Sequence, residues 1–294
     1  MKSKALALAI LSLSMHAASS AAVVFSSGLE DSTGWGIVDN GDTTSQFGFD
    51  YSAFGIPAAP NGTGTVGLRL ASNVTAADPG GGSAVAAVST QTFSGKYTVQ
   101  FDFWLNYHIN GSTEEGGGAV GFGSGGAPLS GTGLLVNTEG DSATDYKLLN
   151  AGVVLGIDSG MYAIPSLNAQ DPLNTAVQTA FPSQTAPAAQ GTGYSNPDGT
   201  FSFAWHTMVI DVDSDAGSAN FSIDGFEFGT VTGADLSGGG VALIQTDPFG
   251  SVAGDANLAF GVFDNVLVTQ VPEPSTAILL SLGAGVVAFR RRRQ

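Results

Sequence analysis

Residues 97–107 read Tyr97-Thr98-Val99-Gln100-Phe101-Asp102-Phe103-Trp104-Leu105-Asn106-Tyr107. The large apolar side chains fall on every second position, and the side chains between them are polar except at Trp104. Side chains alternate between the two faces of a β-strand, so this period of two predicts one long strand with a buried face and a polar face. Trp104 is then the one aromatic residue on the polar face.

The same alternation recurs along the chain. Glycine is frequent, at 42 of 294 residues, and no amphipathic helical period is visible in the body. Asp224-Gly225 between two β-rich runs predicts a two-residue hairpin turn. Further strands are predicted at 65–71, 84–93, 134–137, 153–157, 208–212, 221–223, 226–228, 241–246 and 258–268, the last as a single or bulged strand. Many short strands separated by glycine-rich turns predict an all-β protein with an antiparallel β-sandwich or jelly roll.

Two glycine runs and one long segment interrupt this pattern. Gly116–Gly118 and Gly238–Gly240 are predicted turns, because neither lies in a phosphate-loop motif. Residues 165–199 contain five prolines and keep no strand period, which predicts a long loop or insertion with a short helix near 173–179.

The first 22 residues have the form of a secretory signal peptide. Lys2 and Lys4 precede an apolar run over 5–15, and small residues follow over 17–22. We therefore predict an N-terminal signal helix over 1–22, a single sandwich domain over 23–270 and a separate tail over 271–294.

The tail combines three parts in a fixed order. Val271-Pro272-Glu273-Pro274 is stiff and extended because both prolines restrict the backbone. An uncharged stretch over 275–289 follows, and Arg290, Arg291, Arg292 and Arg293 come after it. Positive charge stays on the cytoplasmic side of a membrane, so we predict a single transmembrane helix with the body outside. An ordinary anchor would explain the arginines but not the Pro-Glu-Pro, and a buried amphipathic helix would not be apolar on every face and end at four charges.

These three parts resemble the PEP-CTERM sorting signal of Gram-negative bacteria. The resemblance implies an exosortase as partner and a bacterium that makes exopolysaccharide. It also implies tethering to the inner membrane before processing, and the cell surface or extracellular matrix afterwards.

The body resembles, over a shorter set of motifs, the concanavalin A-like sandwich in its laminin-G-like form. The motifs are Trp205–Val212, Phe221–Gly225 ending in the Asp-Gly turn, and Phe263-Asp264-Asn265-Val266 in the last strand. This resemblance implies a glycan-binding or adhesive module, sometimes with calcium.

The body is strongly acidic. Six of the nine basic residues lie in the two terminal segments, which leaves Arg69, Lys96 and Lys147 against 24 acidic residues and a net charge near −21. Nucleic acid is excluded as a partner, because its recognition needs a basic surface. An acidic extracellular surface is the simplest explanation, and loose binding of divalent cations is the alternative.

The sequence contains few candidates for catalysis or metal binding. There is no cysteine, and His108 and His206 are predicted to be surface or rim residues. Glu114-Glu115 and Glu139-Gly140-Asp141 are predicted in turns, and no compact pair of strand carboxylates is visible. Asp211, Asp213 and Asp215 have the spacing of the start of a calcium loop, but the expected glycine and closing glutamate are missing. Asp264 is predicted to form structural hydrogen bonds.

These observations predict an exported, non-enzymatic carbohydrate-binding or adhesive protein. Trp104 and Trp205 are the candidate sugar-stacking residues, with Trp104 preferred; the alternative for Trp104 is an aromatic covered by another sheet or loop. Two other functions remain open: a polysaccharide hydrolase or lyase, and a purely structural matrix protein.

Overall fold

The strand over 97–107 lies at the centre of the molecule. The structure, a computed structural model, describes residues 21–75, 82–108, 114–123, 125–140, 142–250 and 252–270. Most of the predicted signal peptide and all of the predicted tail, with its transmembrane helix, lie outside these ranges. Residues Val23–Gln270 form one compact unit. The domain boundaries at 22 and 271 stay predictions.

The described residues form fifteen strands and one α-helix, α1 (Thr175–Ala180). The strands are β1 (Ala22–Ser27), β2 (Trp35–Asn40), β3 (Thr43–Asp50), β4 (Val66–Ser72), β5 (Ser83–Ser89), β6 (Lys96–Asn106), β7 (Glu115–Phe122), β8 (Thr132–Asn137), β9 (Tyr146–Asn150), β10 (Val153–Val154), β11 (Trp205–Asp213), β12 (Ser218–Ile223), β13 (Phe226–Thr232), β14 (Gly240–Asp247) and β15 (Phe260–Gln270). Short 3₁₀ helices occur at Tyr51–Phe54, Ile157–Ser159, Pro172–Asn174, Ala188–Gln190 and Ala256–Leu258.

Two antiparallel sheets pack face to face. Sheet A has eight strands in the order β13-β12-β11-β6-β15-β4-β3, with β1 beside β15. Sheet B has seven strands in the order β10-β9-β8-β7-β14-β5-β2. The inner faces meet in the main hydrophobic core, where Phe101 and Phe103 of β6 and Leu243 of β14 are fully buried. The predicted antiparallel sandwich and the predicted buried face of residues 97–107 are therefore confirmed.

The hairpin predicted at Asp224-Gly225 is present. Ile223 pairs with Phe226, and both turn residues have positive φ, 51° and 79°. Such a turn matches the twist of the strands it connects. Near the end of the chain, β15 contains a bulge between Asp264 and Leu267. The last strand was predicted as either single or bulged, and the structure has the bulged form.

The prediction for Gly116–Gly118 is wrong, because these residues lie within β7 in the middle of sheet B. A Cβ on Gly118 would lie 2.6 Å from the ring of Phe101 in the facing sheet, and one on Gly117 would overlap the Leu134 carbonyl oxygen. Glycine is required here because neighbouring atoms occupy the space of a side chain. Glu115 likewise begins this strand and does not lie in a turn.

Other differences from the predicted elements are local. β1, β2, β3 and β9 have no counterpart among the predicted strands, and the strand predicted at 153–157 is only β10. Residues 165–199 carry the 3₁₀ helix Pro172–Asn174, which continues into α1. Phe181, directly after α1, packs against Phe201 in the main core.

Candidate ligand-binding site

The outer face of sheet A carries the polar side chains of β6. Antiparallel pairing places Asp102 between Thr207 of β11 and Asp264 of β15. Two residues further along the same face, Trp104 lies opposite Trp205. Side chains on one face of paired strands lie close together, so this pairing brings residues from three distant parts of the chain into contact.

Asp102 is the centre of a hydrogen-bond network and is fully buried. Its Oδ1 accepts hydrogen bonds from Asn61 Nδ2 at 2.7 Å and from Thr207 Oγ1 at 2.7 Å. Its Oδ2 accepts from the Asn61 backbone N–H at 3.0 Å and from Asn265 Nδ2 at 2.9 Å. Four donors therefore replace water around a buried carboxylate, which is the condition for burying such a charge.

Asp264 lies beside this network and is 4% exposed. Its Oδ2 accepts a hydrogen bond from Tyr51 Oη at 2.9 Å, and its Oδ1 accepts from the Asn265 backbone N–H at 2.7 Å. Burial raises the pKa of Asp264 to about 6, and the negative charges of Asp102 and Glu30 add to this effect, while its hydrogen bonds oppose it. The predicted role of Asp264 as a structural hydrogen-bonding residue agrees with this geometry.

The bulge in β15 creates a cleft next to these carboxylates. Asn265 adopts a left-handed conformation, with φ 53°, and the strand pairing shifts at this point. The cleft has a volume of about 310 Å³ and is lined by Ser26, Ser27, Gly28, Asn61, Gln100, Asn265, Val266 and Leu267. Hydroxyl and amide groups on this lining can each donate and accept hydrogen bonds.

The structure places the two predicted stacking residues away from this cleft. Trp104 is 4% exposed, its indole Nε1 donates to Asn106 Oδ1 at 3.3 Å, and its ring meets the ring of Trp205 edge-on. Trp205 is half-buried, and its Nε1 donates to the carbonyl oxygen of Pro57 at 2.7 Å. Both belong to an apolar cluster that also contains Tyr51 and Ile56. A sugar could stack on Trp104 only if the neighbouring side chains of this cluster moved away from its ring. The role of Trp104 in binding stays a prediction.

Two of the three aspartates with calcium-loop spacing have partners within the protein. Asp211 accepts a hydrogen bond from Thr98 Oγ1 at 2.6 Å, and Asp213 pairs with Lys96 at 2.9 Å. Within the described ranges there is no group of three or more histidine, cysteine, aspartate or glutamate side chains that could hold a metal ion. Calcium binding at Asp211, Asp213 and Asp215 stays a prediction.

A buried ion pair lies at the start of β7. Glu115 Oε1 accepts from Lys147 Nζ, and the side chains are 2% and 12% exposed. Burial raises the pKa of Glu115 in spite of Lys147, and the charges of Asp145 and Asp247 act in the same direction.

His206 is 7% exposed, which corrects the prediction that it is a surface or rim residue. Its Nδ1 lies 2.7 Å from Asp224 Oδ2, and its ring packs against Phe103 and Phe201. His108 meets Tyr194 edge-on.

Sequence reasoning did not identify the residues of the cleft. Gln100 and Asn265 lie in the segments with the clearest patterns, but nothing in those patterns distinguishes them from other polar residues. Asn61 lies in an Asn-Gly-Thr sequence that gives no indication of a binding role. Its contact with Asp102 joins positions 41 residues apart.

Comparison with protein families identifies the tail. Residues 270–294 match the family model described as the PEP-CTERM protein-sorting motif, which confirms the predicted sorting signal. The chain is therefore an exported protein that is anchored to a membrane before an exosortase processes it. Within the described part of the chain, no helix has the length and hydropathy needed to span a membrane.

No curated protein matches the chain. Among solved structures, the endo-1,3-beta-glucanase from Streptomyces sioyaensis is 14% identical, with 86% of this chain and 97% of that chain covered and a TM-score of 0.41. A protein of unknown function with a galectin-like fold from Bacillus subtilis is 13% identical, with coverages of 85% and 96% and a TM-score of 0.38. A carbohydrate-binding module from Bacillus subtilis is 11% identical, with coverages of 81% and 96% and a TM-score of 0.38. The antiparallel pairing of the chain's own strands defines the sandwich.

Proposed function

We propose that this exported sandwich is a non-enzymatic carbohydrate-binding protein of the cell surface or the exopolysaccharide matrix. The cleft at the β15 bulge is the observation that carries the proposal. Its volume of about 310 Å³ lies at the lower end of the range for small-molecule sites. Its lining of serine hydroxyls and asparagine and glutamine amides matches a ligand rich in hydroxyl groups.

Gln100 is the first candidate for a direct contact with sugar. It is half-buried on the cleft wall, and within the described ranges its side chain has no hydrogen-bond partner. Asn61 and Asn265 are held by Asp102, so their positions are set before a ligand arrives. Preorganised polar groups reduce the entropy lost on binding.

The same network supports a role without catalysis. All oxygen atoms of Asp102 and Asp264 accept hydrogen bonds from protein donors. Each oxygen of Asp102 accepts two hydrogen bonds, so this carboxylate has no free lone pair with which to attack a sugar or accept a proton. Asp102 therefore serves to position the wall of the cleft.

A glycan array and titration calorimetry with the full chain in detergent test the proposal. We expect Gln100→Ala to weaken binding of the best oligosaccharide about 10-fold, the equivalent of one or two hydrogen bonds. The matched control is Gln46→Ala on β3, where the glutamine is exposed on the same sheet. If both variants bound the oligosaccharide with equal affinity, the cleft would not be part of the glycan-binding site. Trp104→Ala, measured in parallel, tests the predicted stacking residue.

A polysaccharide hydrolase or lyase is the second candidate, and Glu115 is the observation that favours it. A buried carboxyl group with a raised pKa is typical of a general acid. Reducing-sugar release from a panel of polysaccharides, lost in Glu115→Gln, would support this function. If the protein neither bound a glycan nor degraded a polysaccharide, the remaining function would be that of a structural matrix protein.

A further inference from the structure

In the part of the chain that the structure describes, no carboxylate lines the cleft, but four lie near the residues that do. Asp102 accepts hydrogen bonds from Asn61 and Asn265 of the lining, and Asp264 directly precedes Asn265 in β15. Glu30 lies at the rim of the cleft, because a Cβ on Gly28 of the lining would come within 2.6 Å of the Glu30 carboxylate oxygens. Asp211 is exposed on the outer face of β11, two residues from Val209, which pairs with Gln100. The ligand therefore enters a region of negative potential.

Every cation of the body is engaged elsewhere. Between residues 23 and 270 the sequence contains three basic residues. Lys96 pairs with Asp213, and Lys147 pairs with Glu115. Arg69 lies over the ring of Phe260, at 4.8 Å from the centroid, and donates to the carbonyl oxygen of Asn257. None of the three lines the cleft.

We infer that the cleft accepts glycans without anionic groups, neutral or amine-bearing, and excludes those that carry carboxylate, sulfate or phosphate. This inference rests on the proposed function. Recognition of an anionic sugar requires a cationic or N–H-rich partner, usually arginine or lysine. Like charges placed together act against the wrong partner, and this effect supplies specificity at the cleft. The net charge near −21 repels acidic polysaccharides over a longer distance as well.

Charges at the rim of the cleft and charges elsewhere on the body act on a bound ligand over different distances, and this difference makes the inference testable. At physiological salt the Debye length is about 8 Å, so charges at the rim act on a bound ligand while remote charges are largely screened. Reversing the charge of acids at the rim should therefore change ligand choice, and reversing the same number elsewhere should not.

The experiment uses a glycan array with neutral, amine-bearing, uronate and sulfated oligosaccharides, at 20 and 150 mM NaCl. The protein is the full chain in detergent, either unchanged or with Glu30→Lys and Asp211→Lys together. The matched control carries Asp39→Lys and Asp158→Lys, which change the net charge equally at two exposed positions on β2 and on the 3₁₀ helix Ile157–Ser159.

We expect the unchanged protein to bind only neutral or amine-bearing glycans at both salt concentrations. The rim variant should gain at least 10-fold in affinity for uronate or sulfated glycans at 150 mM NaCl, and the control less than threefold. Binding of an anionic glycan by the unchanged protein within threefold of its neutral parent would overturn the inference and leave the proposed function in place. An equal gain in both variants would also overturn it. No binding of any glycan would overturn both.

Discussion

Replacing Asp102 by asparagine should be one of the most costly single changes on the outer face of sheet A. Asparagine keeps one of the two acceptor oxygens and puts an NH2 group in place of the other. Two of the four donors that now bind Asp102 would then face a donor. A hydrogen bond to a charged group contributes about 1.5–3 kcal/mol, so two lost bonds correspond to about 3–6 kcal/mol.

The assay is unfolding in guanidinium chloride at pH 7.5, together with thermal unfolding. A loss of about 4 kcal/mol corresponds to a fall in Tm of about 8–16 °C for a domain of this size. The matched control is Asp211→Asn on the adjacent strand, where an exposed carboxylate accepts one side-chain hydrogen bond, from Thr98. This change should cost less than about 0.5 kcal/mol.

A loss below about 1 kcal/mol in Asp102→Asn would refute the reasoning. It would mean that the four donors find other acceptors at little cost. Because the network holds Asn61 and Asn265 at the cleft, we also expect the variant to lose glycan affinity. Loss of affinity with full stability would mean that Asp102 sets the positions of Asn61 and Asn265 without a measurable share in the stability of the fold.

Three further changes test the packing and the buried charges. Gly117→Ala should destabilise the domain by about 3 kcal/mol or more, because the new Cβ would overlap a backbone carbonyl oxygen. Gly36→Ala, where the Cβ meets open space, serves as the control, and thermal unfolding compares the two variants. Lys147→Met should lower the free energy of unfolding by about 3–5 kcal/mol at pH 8, because Glu115 is then buried without its partner. The loss should be smaller at pH 5, where Glu115 takes up a proton. A double variant that also carries Glu115→Gln should recover stability, and failure to do so would contradict this prediction. The pKa of Asp264 is raised from 3.8 to about 6, so its protonated form stabilises the fold at low pH and this contribution is lost as the pH rises through 6. Denaturation across pH 4–8 should therefore show Asp264→Asn gaining up to about 3 kcal/mol relative to the unchanged protein as the pH rises, and parallel curves would refute the assignment.

The local sequence pattern was sufficient to predict a strand and its buried residues where buried and exposed positions alternate along the strand. The alternation over 97–107 predicted both the strand and the residues that face the core, because the inner face of a sandwich strand must be apolar along its whole length. The Asp224-Gly225 turn was equally predictable, since its positive φ values need those residue types.

Pattern failed where packing, and not polarity, decides the residue. β7 contains Gly116, Gly117 and Gly118 in sequence, which locally predicts a turn. Side chains from sheet A and the backbone of β8 approach so closely that only glycine fits. No local rule detects this, because the atoms responsible come from other strands.

By itself, the sequence determined the route of the protein and the class of its fold. The sorting motif is read by another protein as a linear segment, and period-two alternation is a local property of each strand, so neither needs tertiary contacts to be recognised. Only the tertiary structure decided what lies over the polar face of β6. The alternation placed Asp102 and Trp104 on that face, but residues 51–62 and the β15 bulge cover them. Asn61 precedes Asp102 by 41 residues and Asn265 follows it by 163 residues. Contacts over such separations depend on how the strands are ordered in the sheet, and this order is what buries Asp102 and forms the cleft beside it.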